Sequence, residues 1–309
     1  MPAEDPCFID SHVHFALEHL KDFYESFDEI NLCGAWNIVN KHRAEGDELD
    51  ELIRETHKRT AGAIRTFYWP DWKDVCENDK AADCAREIER LHEVGIVGVK
   101  VWKDMGLGLK DPDGKLMMLD DERLNPIWEK MTELKLILIA HVADPANFWL
   151  PMDESNPAYE ALKQRPEWHF GKPGLPSRET LYEARNNLHE RFAELVIVNC
   201  HCGGYVERLD VLDTWMDAMP NFYASVGRSH VRQGGPEFAT FLLKHSDRVM
   251  FETDLGMRRG RPVDRPWNRN AYTAAHKFFE GVFSLFSDEA FEQFAHENAE
   301  RLIREATAT

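Results

Sequence analysis

Eight short apolar runs, separated by longer charged and amphipathic stretches, constrain this chain more than any other feature of it. They are Cys7–His14, Cys33–Val39, Ala63–Trp69, Val97–Trp102, Leu136–His141, Leu195–His201, Asn221–Val226 and Val249–Asp254. Several are unbroken Val/Ile/Leu runs without polar alternation, the pattern of parallel strands buried on both faces. Between them lie helical stretches. Asp79–Glu93 sets Ala82, Ala85, Ile88 and Leu91 at three-to-four spacing, and Asp121–Leu134 opens on carboxylates that complement a helix N-terminus. Ser177–Phe192 begins with a Ser cap, Tyr205–Met219 and Glu237–His245 follow the sixth and seventh runs, and Asp288–Glu305 closes the chain behind a cap at Ser287. Strands alternating with helices imply βαβ units and a parallel sheet. Eight such units favour closure into a (β/α)8 TIM barrel, and no G-x-G-x-x-G follows the first strand to suggest a dinucleotide fold. The 309 residues suit one barrel domain over 1–309.

Composition narrows the partners. Hydrophobic residues make up 43% and nine Trp are present, enough for a large core. Acidic residues outnumber basic ones 55 to 37, for a net charge of -18, which disfavours nucleic acid and anionic membranes and leaves a small-molecule substrate. No apolar run approaches the roughly 20 residues that span a bilayer. The segment Met1–Asp10 shows no secretory signal, so a cytoplasmic enzyme is expected. A homodimer is the default for such a chain. The six cysteines read as reduced thiols, with Cys200 and Cys202 as small buried residues on a strand.

Two connections stand out. About 35 residues rich in Pro, Trp and Phe separate His141 from the helix at Ser177, which marks a lid-like insertion at about 143–176 after strand five. A second irregular segment, Leu255–Asn270, carries Arg258, Arg259, Arg261, Arg265 and Arg269.

The sequence FIDSHVHF places Asp10, His12 and His14 at alternate positions of the first strand, so all three are expected to face the barrel interior. Two imidazoles two residues apart can share one metal ion, at about 2.0–2.1 Å for zinc. His141, His201 and Asp254 each end a later apolar run, and barrel enzymes place their chemistry at the C-terminal ends of the strands.

With these residues in order, the chain resembles the amidohydrolase superfamily, in the branch that includes aminocarboxymuconate semialdehyde decarboxylase. The resemblance runs from IDSHVHF through VGVKVWKD, LILIAHVADP, NCHCGG and FETDLG to HENAERLI. It implies that His12, His14, His141 and Asp254 hold one divalent metal ion, Zn2+ before Mn2+, Fe2+ or Co2+, and that His201 is the catalytic or water-orienting histidine. Asp254 would then take a proton from a metal-activated water and pass it to the leaving group. Asp10 reads as a partner behind the ligands or a further carboxylate at the barrel floor. A strand-four Lys is carboxylated elsewhere in the superfamily; in this one-metal branch Lys100 reads as a partner of a substrate carboxylate or carbonyl, the alternative being a buried ion pair with Asp10 or Asp104. Lys103 lies at the rim, where Trp102 serves packing before substrate stacking. Arg228 and His230, after strand seven, are further candidates for contact with an anionic substrate. The ligand set suits hydrolysis of a C–O or C–N bond in a lactone or amide. It also suits nonoxidative decarboxylation or hydration of an unsaturated or aromatic acid. The aromatic-acid decarboxylases of the branch often open on Glu-x-His, and the H-x-H kept here favours hydrolysis. A barrel that has lost catalysis would have eroded the His201/Asp254 pair.

Overall fold

The computed structural model describes residues 7–143, 145–235, 237–257, 259–260, 265–283 and 288–308. Asp144, Arg258, Arg261, the Ser287 cap and the start of the Met1–Asp10 segment lie outside the described residues, as does the side chain of Arg265.

All eight apolar runs are strands. β1 (Phe8–His14), β2 (Leu32–Val39), β3 (Ile64–Tyr68), β4 (Ile96–Val101), β5 (Ile137–Ala140), β6 (Ile197–Asn199), β7 (Phe222–Val226) and β8 (Val249–Phe251) pair in parallel, each with the next. Past β8 the chain turns through 252–254 into the two-residue β9 (Leu255–Gly256), which pairs with β1 as Val13↔Leu255 and His14↔Gly256. Ser11 Oγ donates to the Phe251 carbonyl across the same seam at 2.7 Å. The strands thus form the ring of a TIM barrel, as expected.

The longer helices are α1 (Gly46–Arg59), α2 (Ala81–Val94), α3 (Asn125–Glu133), α4 (Arg178–Arg191), α5 (Leu209–Ala218), α6 (Glu237–Lys244), α7 (Arg265–Phe283) and α8 (Asn298–Thr307). In α1, Asp47 and Glu48 sit in the first turn and His57, Lys58 and Arg59 in the last, matching the helix dipole, while Leu49, Leu52 and Ile53 are buried. The buried face of α2 is Ala81, Cys84, Ala85, Ile88 and Leu91, with Ala82 turned to solvent. Ser177 Oγ accepts the backbone N–H of Thr180 and caps α4. The expectation of an irregular Leu255–Asn270 is corrected, because α7 begins at Arg265. Tyr272, Ala275, Phe279 and Phe283 recur at helical spacing and are buried, with Tyr272 and Phe279 against Phe251, and that apolar stripe outweighs the polar stretch before it.

Inside the ring, Ile9, Trp36, Phe67, Val97, Ile137 and Met250 fill the barrel, and Ala299, Leu302 and Ile303 of α8 pack onto them. Ile9, Val97 and Ile137 lie at strand starts, so α8 plugs the N-terminal end and leaves the C-terminal end for a site. Gly98 has no room for a side chain. A Cβ there would stand 2.2 Å from the Ile137 carbonyl oxygen and 2.5 Å from the Phe67 ring.

The insertion folds over the C-terminal mouth in three short helical pieces, Ala146–Phe148, Tyr159–Gln164 and Pro166–Trp168. Buried Asn156 donates to the carbonyls of Asn147 and Pro151, and Trp149 Nε1 to that of Pro176. One reading of the cysteines is corrected: Cys7 and Cys33 form a disulfide, with Cα atoms 5.6 Å apart. Pairing of Phe8 with Leu32 brings them to adjacent edges of β1 and β2, a proximity that residue type and spacing do not reveal. Cys76, Cys84, Cys200 and Cys202 are free and buried. Cys200 and Cys202 follow β6 in a tight turn and are not on the strand. Among the described residues no helix is long and apolar enough to cross a membrane.

Candidate metal centre and its pocket

β1 carries the first two imidazoles, and its local backbone decides where they point. Its register against β2 shifts between Asp10 and Val13, so the alternation breaks once within the strand. Phe8 stacks outward on His276, and Asp10, two residues on, is buried beside Tyr272 of α7. After the shift, His12 and His14 face the barrel mouth while Val13 packs outward with Phe15 and Phe23. The expectation that Asp10 shares their face is corrected by this bulge. Asp10 still stands behind the candidate ligands: its carboxylate accepts the backbone N–H of His12 and of Thr253, both at 3.1 Å. Burial raises its pKa to about 7.

His12, His14 and Asp254 each offer a ligand atom within 4.8 Å of the others. Asp254 Oδ1 is 3.4 Å from His12 Nε2 and 3.3 Å from His14 Nε2. The far side of each ring is tied down, His12 Nδ1 to Glu252 Oε2 at 3.1 Å and His14 Nδ1 to the Ile38 carbonyl at 2.9 Å. Donation through Nδ1 leaves each Nε2 with its lone pair toward Asp254, the arrangement a bound divalent cation requires. Nitrogen and carboxylate donors of this kind suit Zn2+ and its neighbours. Asp254 has left-handed backbone, φ 57°, which Asp tolerates better than most residues. Its side chain is 50% exposed, open to the pocket. The neighbouring imidazoles hold its carboxyl far below the usual range against the opposing effect of burial. Burial lowers the pKa of His12 to about 3 and also lowers that of His14, so both rings are neutral and able to ligate.

His141, after β5, lines the same pocket from the other side, its ring centroid 4.4 Å from that of His201. It lies outside the group formed by the other three ligand atoms. His201 sits in a turn where His201 and Cys202 are left-handed, φ 56° and 55°. Backbone strain of this kind persists where the surroundings hold it. Here Glu252 does so, its Oε1 accepting both His201 N and His201 Nδ1 at 2.9 Å. His201 Nε2 then lies 3.9 Å from Asp254 Oδ2. Burial works against a charge on His201, but the Glu252 and Asp254 carboxylates outweigh it and raise its pKa.

Glu252 is a candidate site residue to which the strand ends do not point. Fully buried, it joins His12 to His201 and also accepts Ser225 Oγ at 2.6 Å. Burial alone would raise its pKa, yet the His201 and His12 contacts hold it well below the ordinary value. Its signal is present in FETD, an acid two residues before Asp254 inside an apolar run.

Lys100 is buried on β4, with Nζ 2.9 Å from Cys200 Sγ and 3.4 Å from His12 Nε2. It faces the pocket, and these contacts replace the alternative pairing with Asp10 or Asp104. Lys103 is buried under the insertion, its ammonium 4.5 Å from the Trp168 ring centroid and 5.8 Å from that of Phe148. It borders the pocket as expected, but beneath the lid instead of at an open rim. Trp102 lines the pocket beside Trp69, centroids 5.9 Å apart. His230 also lines it, with Nδ1 accepting the Gly227 N–H at 2.9 Å and burial lowering its pKa to about 4. Arg228 does not reach it. At the start of a helical turn it points outward over Phe278, 5.8 Å from that ring centroid. Arg259 and Arg269 pair on the surface with Glu48 and Glu29.

The cavity enclosed by these residues holds about 580 Å3. A cleft of about 660 Å3 beside Tyr223, Arg248 and Arg301 lies at the opposite end of the barrel, among residues of α8 and the helical segment Gln293–Glu297 before it.

A family model described as amidohydrolase matches residues 9–304. Among solved structures, the chain is similar to a TIM-barrel protein of Bordetella bronchiseptica, at 13% identity over 97% of this chain and 99% of that one, TM-score 0.61. A dihydroxybenzoic acid decarboxylase of Polaromonas sp., solved with manganese and 2-nitroresorcinol, aligns at 18% identity over 96% and 97%, TM-score 0.59. A probable 2-pyrone-4,6-dicarboxylic acid hydrolase of Acinetobacter baumannii, solved with citric acid, aligns at 12% over 96% and 98%, TM-score 0.56. At these identities the likeness speaks for the fold. The search among curated proteins found no match.

Proposed function

The chain belongs to the amidohydrolase family, a family of metal-dependent enzymes, and from that premise we propose that it is a hydrolase that cleaves a C–O or C–N bond of a small anionic carbonyl compound, a lactone or an amide. The observation that carries this reading is the convergence of His12 Nε2, His14 Nε2 and a half-exposed Asp254 carboxylate, with His201 Nε2 3.9 Å from the second Asp254 oxygen. A divalent ion held there, Zn2+ in the first instance and with His141 as a further ligand, would polarise a carbonyl and lower the pKa of a water toward about 7.

The side chains divide the remaining work. Asp254 stays ionised and open to the pocket, placed to accept the proton of the attacking water and to return it to the leaving oxygen or nitrogen. His201, its Nδ1–H committed to Glu252, presents Nε2 to the reacting carbonyl or the water. Lys100 and Lys103 offer positive charge to an anionic substrate in a chain that is acidic overall, and His230 adds a polar contact. Phe148 and Trp168 of the insertion cover the mouth and limit bulk water.

The neighbouring decarboxylase makes loss of carbon dioxide the competing reaction; the intact H-x-H in FIDSHVHF is the feature that favours hydrolysis. The test is a panel of lactones, amides and unsaturated or aromatic carboxylates with metal-loaded enzyme. A ring-opened acid or free amine without gas supports hydrolysis. Carbon dioxide release from the carboxylates, with lactones and amides untouched, rejects it.

A further inference from the structure

The Asn40–Arg43 turn after β2 brings one more cation to the pocket, at a position marked by no motif. The Arg43 N–H closes the turn on the Asn40 carbonyl at 2.9 Å, and the guanidinium borders the cavity beside His14 and Asp254. It reaches toward β9: a Cβ on Gly256, two residues past Asp254, would stand 3.7 Å from an Arg43 terminal nitrogen. Among the described residues its one side-chain hydrogen bond is Nη1 to Asn40 Oδ1 at 3.3 Å. Nε is buried with no hydrogen-bond partner among the described residues, and none of their carboxylates lies close enough to form an ion pair with it. A buried N–H of a charged group left unmatched is costly, and the planar fork that carries it matches a carboxylate in two-point fashion. The same cavity is lined by an aromatic wall, with Trp69 6.1 Å from His14 and 5.9 Å from Trp102, ring centroid to ring centroid.

We propose that Arg43 is the receptor for a substrate carboxylate and that the wall of Trp69 and Trp102 selects a flat, conjugated or aromatic acid, whose reacting carbonyl is thereby directed to His12, His14 and Asp254. This rests on the metal-dependent reading of the site but not on which bond the enzyme breaks. It gives the role first sought in Arg228 to a residue on the opposite side of the barrel mouth. Arg43 positions the substrate and takes no part in proton transfer.

The test is equilibrium binding by calorimetry to metal-loaded protein, with benzoate and its neutral isostere benzamide as probes. Wild type binds benzoate at least about tenfold tighter than benzamide. Arg43→Met weakens benzoate by about 10–100-fold, the range for hydrogen bonds to a charged group, and leaves benzamide and metal content unchanged. Arg43→Lys, which keeps the charge and loses the fork, falls between. Equal benzoate affinity in wild type and Arg43→Met overturns the proposal, and so does a wild type that binds no benzoate at millimolar concentration. Failure of the hydrolytic reading appears elsewhere, as carbon dioxide from a turnover assay, and leaves these binding ratios as they are.

Discussion

Replacing Glu252 by Gln removes one charge and changes almost no volume, yet its effect on the metal centre follows from hydrogen-bond polarity. One carboxylate oxygen accepts His201 N and Nδ1, the other His12 Nδ1 and Ser225 Oγ. A glutamine has one acceptor oxygen and one donor NH2. The His201 backbone N–H cannot become an acceptor, so the amide oxygen must stay on that side and the NH2 must face His12. His12 then accepts through Nδ1, and its proton moves to Nε2, the atom aimed at Asp254. His14 is spared, since its Nδ1 donates to the Ile38 carbonyl. One ligand is thus put in the wrong tautomer by a change that leaves every ligand in place. Partners behind a metal ligand are worth about 10–100-fold in metal affinity, or about 1.4–2.8 kcal/mol. Because a tautomer is inverted and not merely loosened, the upper part of that range is expected. Chelator competition gives the affinity, and nitrogen-15 spectra of the imidazoles report the tautomer directly. A Glu252→Gln protein that holds zinc as tightly as wild type, with the His12 proton still on Nδ1, would refute the reasoning.

Four further outcomes follow from the same structure. Removing metal with a chelator should abolish turnover and re-addition of Zn2+ or Mn2+ should restore it, while Asp254→Asn should bind metal more weakly and lose at least about a hundredfold in kcat, the scale of a general acid–base residue; restored activity without metal would contradict the assignment. His189 donates from Nδ1 to Asn221 and accepts at Nε2 from Asn199, and burial, aided by the Arg185 charge, lowers its pKa to about 3. The unfolded chain takes up that proton at the ordinary 6.5 and the fold only near 3, so stability falls as the pH drops through this window, by at most about 1.4 kcal/mol per unit from this group; urea titrations of His189→Gln should show a shallower loss, and an unchanged slope would count against it. Gly98→Ala should destabilise the barrel by at least about 1–3 kcal/mol, read as a lowered Tm, because its Cβ meets the backbone oxygen of Ile137 at 2.2 Å.

The strand pattern was legible because buried parallel strands need apolar residues on both faces, and each of the eight runs is long enough to say so. The ligand candidates were legible because a polar residue closing such a run has nowhere to go but the barrel mouth. His12, His14, His141, His201 and Asp254 all border the one cavity. What lay beyond the sequence was direction. Arg228 follows a strand as His230 does, but the helical turn Arg228–Gly234 sends the two side chains to different sides, and two residues of spacing do not foretell that. Arg43 sits in a turn, where no periodicity operates. Glu252 was hidden by its place just past β8, two residues before Asp254, because Asp254 is the last polar residue of VMFETD and marks the end of the run first. The disulfide depends on β1 and β2 being neighbours, a tertiary fact.

Asp10 shows how these directions are enforced. Alternation places it on the face of His12 and His14, yet the shift in β1 turns it away, and there its carboxylate gathers four donors: His12 N and Thr253 N at 3.1 Å, Thr253 Oγ1 and Tyr272 Oη at 2.5 Å. Two of the four are backbone groups of the segments that deliver His12 and Asp254. The bulge is therefore no defect in the strand, because it lets a buried acid behind the sheet hold the main chain of both segments that carry the candidate ligands at once. Glu252 holds the imidazoles in front. One carboxylate sets the backbone and the other sets the rings, and the convergence of His12, His14 and Asp254 depends on both, which is why a site so plain in residue type is carried by two acids that strand-end reading misplaces or misses.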